Sequence, residues 1–251
     1  MNKSLFCGVL AAAVALAVSP VRASDINFTS ASISGFGQSE FKNLSKEAGA
    51  ALGYRNVAPA APLGITGFDI GVEASAISID QNSKQWRAAF NNDAPSYLVI
   101  PRIRARKGLP LGIDIGAMYS YVPDSNVKLY GAELSKAILD GGIATPAMGI
   151  RATYTKLSGV SDLGLQTYGV DASISKVFLL FTPYAGAGVM WINSEAKGQL
   201  HTLIPALKKE TITVPRFFGG VKISPLPLVG ITAEAEYAAR PIYSLKAAVN
   251  F

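Results

Sequence analysis

The sequence predicts an all-β fold, a transmembrane antiparallel up-and-down β-barrel of about 10 strands, preceded by a short N-terminal amphipathic helix. Three observations predict it. From Ile65 onward, apolar residues recur at every second position in successive stretches. That period puts an apolar and a polar set on opposite faces of each strand. Of 251 residues, 49% are apolar and 16% charged, yet beyond the N-terminus no apolar run reaches the ~18 residues of a spanning helix. Apolar residues dispersed in this way suit a barrel whose outer face meets lipid. Finally, the chain ends on YSLKAAVNF, where Tyr243, Leu245, Ala247, Val249 and Phe251 alternate with Ser244, Lys246 and Asn250.

Residues 1–23 stand apart. Lys3 gives a positive start, Phe6 to Val18 an apolar stretch, and Val21-Arg22-Ala23 a cleavage point before Ser24. This reads as a secretory signal peptide and is set aside from the fold. The single cysteine, Cys7, lies within it, so the mature chain needs no disulfide and has no thiol chemistry. Lys3 and Arg22 leave with the peptide, and 23 basic residues less 2, against 17 acidic, leave a net charge of +4. No basic cluster is interleaved with aromatics, so nucleic acid is not an expected partner.

Residues 24–64 form an N-terminal segment. Residues 24–38 are polar, small and punctuated by glycine, an extended lead-in. From about 39 to 53, Phe41, Leu44, Ala48 and Leu52 recur at spacings of three, four and four, one face of a helix. Ser39 is placed to cap its start and Gly53 to end it. Ala58 to Gly64, APAAPLG, is a Pro/Ala linker. The helix can cap the periplasmic mouth or plug the lumen. A ten-strand lumen has little room for both a helix and 13 charged side chains, so a cap at or partly inside the periplasmic mouth is the expectation.

The barrel takes residues 65–251. Strand one, about 66–79, alternates Phe68, Ile70 and Val72 with Asp69, Gly71 and Glu73. Strand two, about 96–106, sets Val99, Ile103 and Ala105 against Arg102, Arg104 and Arg106. Strand three, about 111–122, opposes Ile113, Ile115 and Tyr119 to Asp114 and Ser120. Strand four, about 127–138, puts Tyr130 and Leu134 opposite Glu133 and Ser135. Strand five, about 147–156, puts Ile150 and Tyr154 opposite Arg151 and Thr153, and strand six, about 165–176, puts Tyr168 and Val170 opposite Asp171 and Ser173. Strand seven, about 182–193, is apolar or glycine on both faces, so its orientation is open. Strand eight, about 213–224, opposes Phe217 and Val221 to Arg216 and Lys222. Strand nine, about 228–239, opposes Val229, Ile231 and Tyr237 to Glu234 and Glu236, and Tyr243–Phe251 closes the sheet.

The polar loops at 81–95, 157–164 and 194–211 fall at one end, and the clipped turns at 107–110, 140–145 and 225–227 at the other. Long outer loops, short periplasmic turns and an even strand number belong to bacterial barrels, with 8 or 12 strands as the alternatives. A soluble antiparallel sandwich also alternates, but would turn its apolar face inward.

With the apolar faces on lipid, the lumen holds Arg102, Arg104, Arg106, Arg151, Arg216 and Lys222. It also holds Asp69, Glu73, Asp114, Glu133, Asp171, Glu234 and Glu236. A buried charge without a partner costs several kcal/mol, so these must pair. The strand-two arginines are expected to meet Asp69, Glu73 and Asp114. Glu234 and Glu236 are expected to meet Arg216, Lys222 and Lys246. No catalytic residue is assigned. His201 is the only histidine and lies in a loop, without an Asp-Asp or His-x-Ser companion. One histidine and no mature cysteine make no transition-metal site, and Asp124-Ser125-Asn126 reads as a turn. No cofactor is expected.

The closing stretch resembles the C-terminal signal strand of Gram-negative outer-membrane β-barrels, which ends in Phe. The helix followed by PLGITGFDIG, Pro62 to Gly71, resembles an uncharacterised barrel family of unknown function. The resemblance implies export by a cleaved signal peptide, residence among outer-membrane lipid, and delivery to the barrel-assembly machinery through Tyr243, Leu245, Val249 and Phe251. The expected function is a narrow channel or transporter for small polar or anionic solutes, partly occluded by the helix. The alternative is a non-transporting structural or adhesive barrel with a salt-bridged lumen, and an outer-membrane enzyme comes third.

Overall fold

Pairing of the first strand with the last turns the alternating stretches into a closed wall. The computed structural model describes residues 25–142 and 144–251, and the signal peptide expected over 1–23 lies outside them. The strands are β1 (Phe68–Ser78), β2 (Tyr97–Leu109), β3 (Ile113–Tyr121), β4 (Lys128–Leu139), β5 (Ala147–Ser158), β6 (Leu163–Ser175), β7 (Phe181–Ala196), β8 (Glu210–Leu226), β9 (Val229–Ala238) and β10 (Arg240–Asn250). Each pairs antiparallel with its chain neighbours, and β1 pairs with β10 from Asp69↔Asn250 to Ile77↔Ile242. Closure leaves no sheet edge, as hydrocarbon surroundings demand. The strand bounds differ from those read in the sequence by at most 3 residues.

The two ends of the barrel differ. At the turn end lie Phe68, the C-terminus and the short connections 110–112, 140–146, 176–180 and 227–228. At the loop end lie the connections 79–96, 122–127, 159–162 and 197–209. A helix, α1 (Gln38–Leu52), precedes the barrel, and α2 (Lys84–Ala89) and α3 (Gly198–Leu203) occupy the two longest loops. Those loops were expected to be plain polar segments. Six-residue helices are too short to show a period in sequence.

The outward faces are apolar along the middle of the wall, with lysines such as Lys128, Lys136 and Lys156 toward the strand ends. Ile70, Ile103, Ile115, Leu134, Ile150, Val170, Ile231 and Leu245 are all between 41% and 55% exposed. In water such a wall would be an aggregation surface; in lipid it matches its solvent. Toward the loop end an aromatic arc crosses the strands. Tyr119 packs on Tyr130 at 5.2 Å between ring centres, and Tyr154 on Tyr168 at 5.1 Å, with Trp191 paired to Tyr168. The sandwich alternative fails, because it is the charged face that turns inward. β7, ambiguous in sequence, turns Tyr184, Met190, Ile192 and Ser194 inward and Trp191 outward.

The lumen has two storeys. Near the loop end it is apolar, with Ile77, Ile100, Leu129, Leu165, Met190, Ile192, Val214 and Ile242 buried around α1. Toward the turn end it is charged. Every residue from Ala48 to Ala58 is buried. An amphipathic helix on a surface buries one stripe, so continuous burial means that α1 and the chain after it run inside the wall. The expectation of a cap at the periplasmic mouth is therefore corrected: α1 is a plug, and it sits in the loop-end half. It fits because it is slender where it is deepest. A Cβ on Gly53 would lie 2.7 Å from the Met190 side chain, and one on Gly49 would collide with Ile192. The helix start also differs. Gly37 is the N-cap residue and its N–H donates to the Glu40 carboxylate at 3.0 Å, so Ser39 lies inside the first turn.

Phe251 closes the seam. The Phe68 N–H donates to the Phe251 carbonyl at 2.6 Å, the Phe251 N–H returns to the Phe68 carbonyl at 3.0 Å, and the rings lie 5.2 Å apart. Deleting Phe251 removes both bonds and the ring contact. Assembly should slow several-fold, read as the fraction of unheated protein whose gel migration changes on boiling; an unchanged rate would count against the closing role.

Candidate functional site

Three arginines at alternate positions of β2 share one inward face and set the pattern of the charged storey. Arg102 Nη1 lies 3.0 Å from Glu73, and Arg104 bridges Glu73 at 3.2 Å and Glu133 at 3.1 Å. Arg106 pairs with Asp114 at 3.0 Å and with Glu133. Across the lumen, Arg216 reaches Glu236 at 2.9 Å and Asp171 at 3.4 Å. Lys246 pairs with Asp69 at 3.0 Å, and Asn250 Nδ2 donates to the same carboxylate at 2.9 Å, across the β1–β10 seam.

The plug is part of this network. Arg55, directly after α1, lies 2.5 Å from Glu236 and donates to the carbonyls of Ala50 and Ala51. Arg102 donates to Ala51 O at 3.2 Å and Arg216 to Tyr54 O at 3.0 Å. Arg104 and Arg151 both donate to Asn56 O, at 3.0 and 3.1 Å. The last carbonyls of a helix carry a partial negative charge and lack intrahelical donors, so a cationic floor suits this end. In return, the Val57 N–H donates to Glu234 at 2.9 Å and the Leu63 N–H to Asp114 at 3.1 Å. The Tyr184 hydroxyl donates to Glu234 at 2.9 Å.

The charges balance within this storey. Among the described residues the wall supplies six buried cations (Arg102, Arg104, Arg106, Arg151, Arg216 and Lys246) and seven buried anions (Asp69, Glu73, Asp114, Glu133, Asp171, Glu234 and Glu236). Arg55 of the plug is the seventh cation, and none of the 14 is more than 6% exposed. The sequence places all of these wall residues in the lumen. Some partnerships are misplaced: Lys246 meets Asp69 rather than Glu234 or Glu236, so Asp69 is taken from the strand-two arginines, Lys222 stays half-buried near the turn-end mouth, and Glu234 accepts from the Val57 N–H and the Tyr184 hydroxyl instead of meeting a cation. Arg55, Asn56 and Tyr184 escape the sequence reading. Arg55 had a signal, a basic residue just past a helix end.

The loop end is closed by the chain itself. Trp86 Nε1 donates to Glu47 at 2.6 Å, and Arg240 pairs with the same carboxylate at 2.9 Å. Ile26 exchanges backbone bonds with the Asn126 side chain at 3.1 and 3.0 Å. Asp162 accepts the N–H groups of Phe28 and Gln199. His201 is exposed on α3, and Ser125 Oγ accepts the Val127 N–H, as turn chemistry requires. Phe41, Leu44, Ala48 and Leu52 face this apolar core as read from their spacing. Tyr243, Leu245 and Phe251 face outward, 61%, 48% and 59% exposed, with Val249 half-buried.

Arg55→Ala leaves Glu236 with one partner and frees the carbonyls of α1. Removing one member of a buried pair costs about 3–5 kcal/mol. The double variant Arg55→Ala/Glu236→Gln should cost less than the sum of the two single changes, measured from denaturant midpoints in lipid; strict additivity would mean that the two side chains do not interact.

No protein-family model matches the chain, and no curated protein matches its sequence. Solved structures with similarity include the N-terminal β-barrel domain of Pseudomonas aeruginosa OprF, 12% identical over 75% of this chain and 99% of that one, with a TM-score of 0.34. The KdgM porin is 10% identical over 74% and 99%, with a TM-score of 0.37. Yersinia pestis Ail, the attachment invasion locus protein, is 11% identical over 74% and 97%, with a TM-score of 0.30. At such scores they bear on neither activity nor partner, and the chain stands on its own geometry as a closed ten-stranded antiparallel β-barrel with an internal helix.

Proposed function

We propose that this chain is a closed, non-transporting outer-membrane barrel, a structural or adhesive protein whose working surface is its loop end. The observation that carries this reading is the filled lumen. Residues 48–58 run buried through it, and the 14 charges around them are at most 6% exposed. A conducting pore needs its charged side chains wetted. Here they face each other and the plug backbone. The loop end, by contrast, is built as a surface. Asn27 donates its N–H to Ala89 O at 2.9 Å and Ser32 Oγ donates to Ala88 O at 3.1 Å, tying the N-terminal segment to α2. In this reading the turn end faces the periplasm and the loop end the outside, with the C-terminal strand serving the assembly machinery.

A narrow channel for small polar or anionic solutes then takes the form of a gated pore that opens when α1 withdraws. One hydrogen bond allows the two readings to be separated. Ser45 Oγ of α1 and Ser194 Oγ of β7 lie 2.5 Å apart, and the only natural cysteine, Cys7, falls in the signal peptide. The variant Ser45→Cys/Ser194→Cys can therefore lock the plug by oxidation. In planar bilayers the unmodified protein and both redox forms of the variant should show no conductance above leak. Conductance in the reduced form that disappears on oxidation would establish the gated channel instead.

A further inference from the structure

The ladder between β2 and β3 stops short of the loop end. β2 pairs with β1 as far as Tyr97↔Ser78, but with β3 only as far as Ile103↔Tyr119. Pro101 sits just beyond that point. It has no N–H, and its carbonyl accepts the Ser120 hydroxyl at 2.5 Å, so the ladder cannot continue through it. β3 ends at Tyr121 and the chain turns through 122–127. Past Pro101, the free edge of β2 faces that turn instead of a strand.

A narrow cleft of about 50 Å³, open on one side, lies in the gap. It passes through the wall. Its lining takes Leu98 and Ile100 from the lumen face of β2, Tyr97 and Val99 from the lipid face, and Ala48 and Ala51 from the plug, with Trp86 beside them. No charged side chain lines it. Val99 pairs with Ala76, which pairs with Tyr243, so the cleft opens on the same cross-strand row as an outward aromatic. In membrane barrels, outward aromatics gather where headgroups give way to acyl chains.

We propose that this cleft is a lipid site: an acyl chain from the loop-end leaflet enters sideways between β2 and the β3–β4 turn and ends against α1. The lipid-facing wall continues without a break into the cleft, and the lining offers almost nothing for a polar ligand to bond. A peptide would bring backbone groups that need partners there, whereas an acyl chain brings none. The alanines at 48 and 51 leave room that a larger side chain would fill.

The chain has 2 tryptophans, Trp86 in the cleft and Trp191 on the lipid face. Each can report alone. In vesicles of phospholipid with dibrominated acyl chains, Trp191 in the Trp86→Phe variant should be quenched by ordinary lipid contact. Trp86 in Trp191→Phe, although only 1% exposed, should be quenched to within about two-fold of that level, because bromine acts only at near-contact range. Adding Ala51→Leu should cut the Trp86 quenching at least by half. If that variant lacks the heat-dependent gel shift of a folded barrel, Val99→Phe at the cleft mouth serves in its place. No quenching of Trp86, or quenching that neither filling variant reduces, overturns the site.

Discussion

Burying charge at membrane depth is the constraint on which the rest of this structure depends. Fourteen ionisable side chains sit inside a ten-strand wall with at most 6% exposure. Each would cost several kcal/mol if left alone. Alternation along the strands puts them inside, because the apolar set must face lipid. Once inside, they are tolerated as ion pairs, as donors to backbone carbonyls, or, for Glu234, as an acceptor from a backbone N–H and a hydroxyl. The wall alone is one cation short. Arg55, delivered by the plug, makes the balance seven against seven among the described residues. The plug therefore completes the lumen and is more than a stopper within it.

The same constraint sets the depth and direction of α1. Its carbonyl end points into the charged storey, where Arg102, Arg55 and Arg216 donate to Ala51, Ala50 and Tyr54. Reversed, the helix would present N–H groups and a positive dipole end to the same arginines. The apolar storey suits the other half: Phe41, Leu44 and Ala48 pack among Met190, Ile192 and Val214. Only two zones of opposite character, stacked along the axis, hold an amphipathic helix and its polar tail in a single position.

The barrel is legible in sequence because lipid imposes a period of two on every strand, and the error at strand ends is at most 3 residues. The inward charges are legible for the same reason. Partners are less so. Lys246 pairs across the closing seam with Asp69, a contact 177 residues away along the chain, which neighbour-by-neighbour reasoning reaches only when the register of β1 on β10 is known. The position of α1 is misread by a volume argument that counts charged side chains as obstacles. In the structure they are the plug's hydrogen-bond partners, and Gly49 and Gly53 remove the bulk that would have clashed. α2 and α3 are too short for periodicity, and what makes α2 matter is its long-range contacts, Trp86 to Glu47 and the carbonyls of Ala88 and Ala89 to Ser32 and Asn27.

Topology draws these points together. The chain passes from the loop end at Ile26, down the lumen to Phe68 at the turn end, and then through ten strands to Phe251 at the turn end. That is one lumenal passage and ten in the wall. An odd total leaves the first described residues and the C-terminus at opposite ends of the barrel. An even-stranded barrel without such a passage would have both at the turn end. The passage is tied at both ends: Asn126 and Asp162 bind its start, and Asp114 and the seam at Phe68 bind its exit. Arg102 and Arg104 of β2, Arg151 of β5, Arg216 of β8 and Glu234 of β9 all hold its middle. Contacts from so many strands to one backbone segment make the wall and its contents a single hydrogen-bonded unit. The pairing of β1 with β10 brings Lys246 to Asp69 and completes the matching of charge in the lumen.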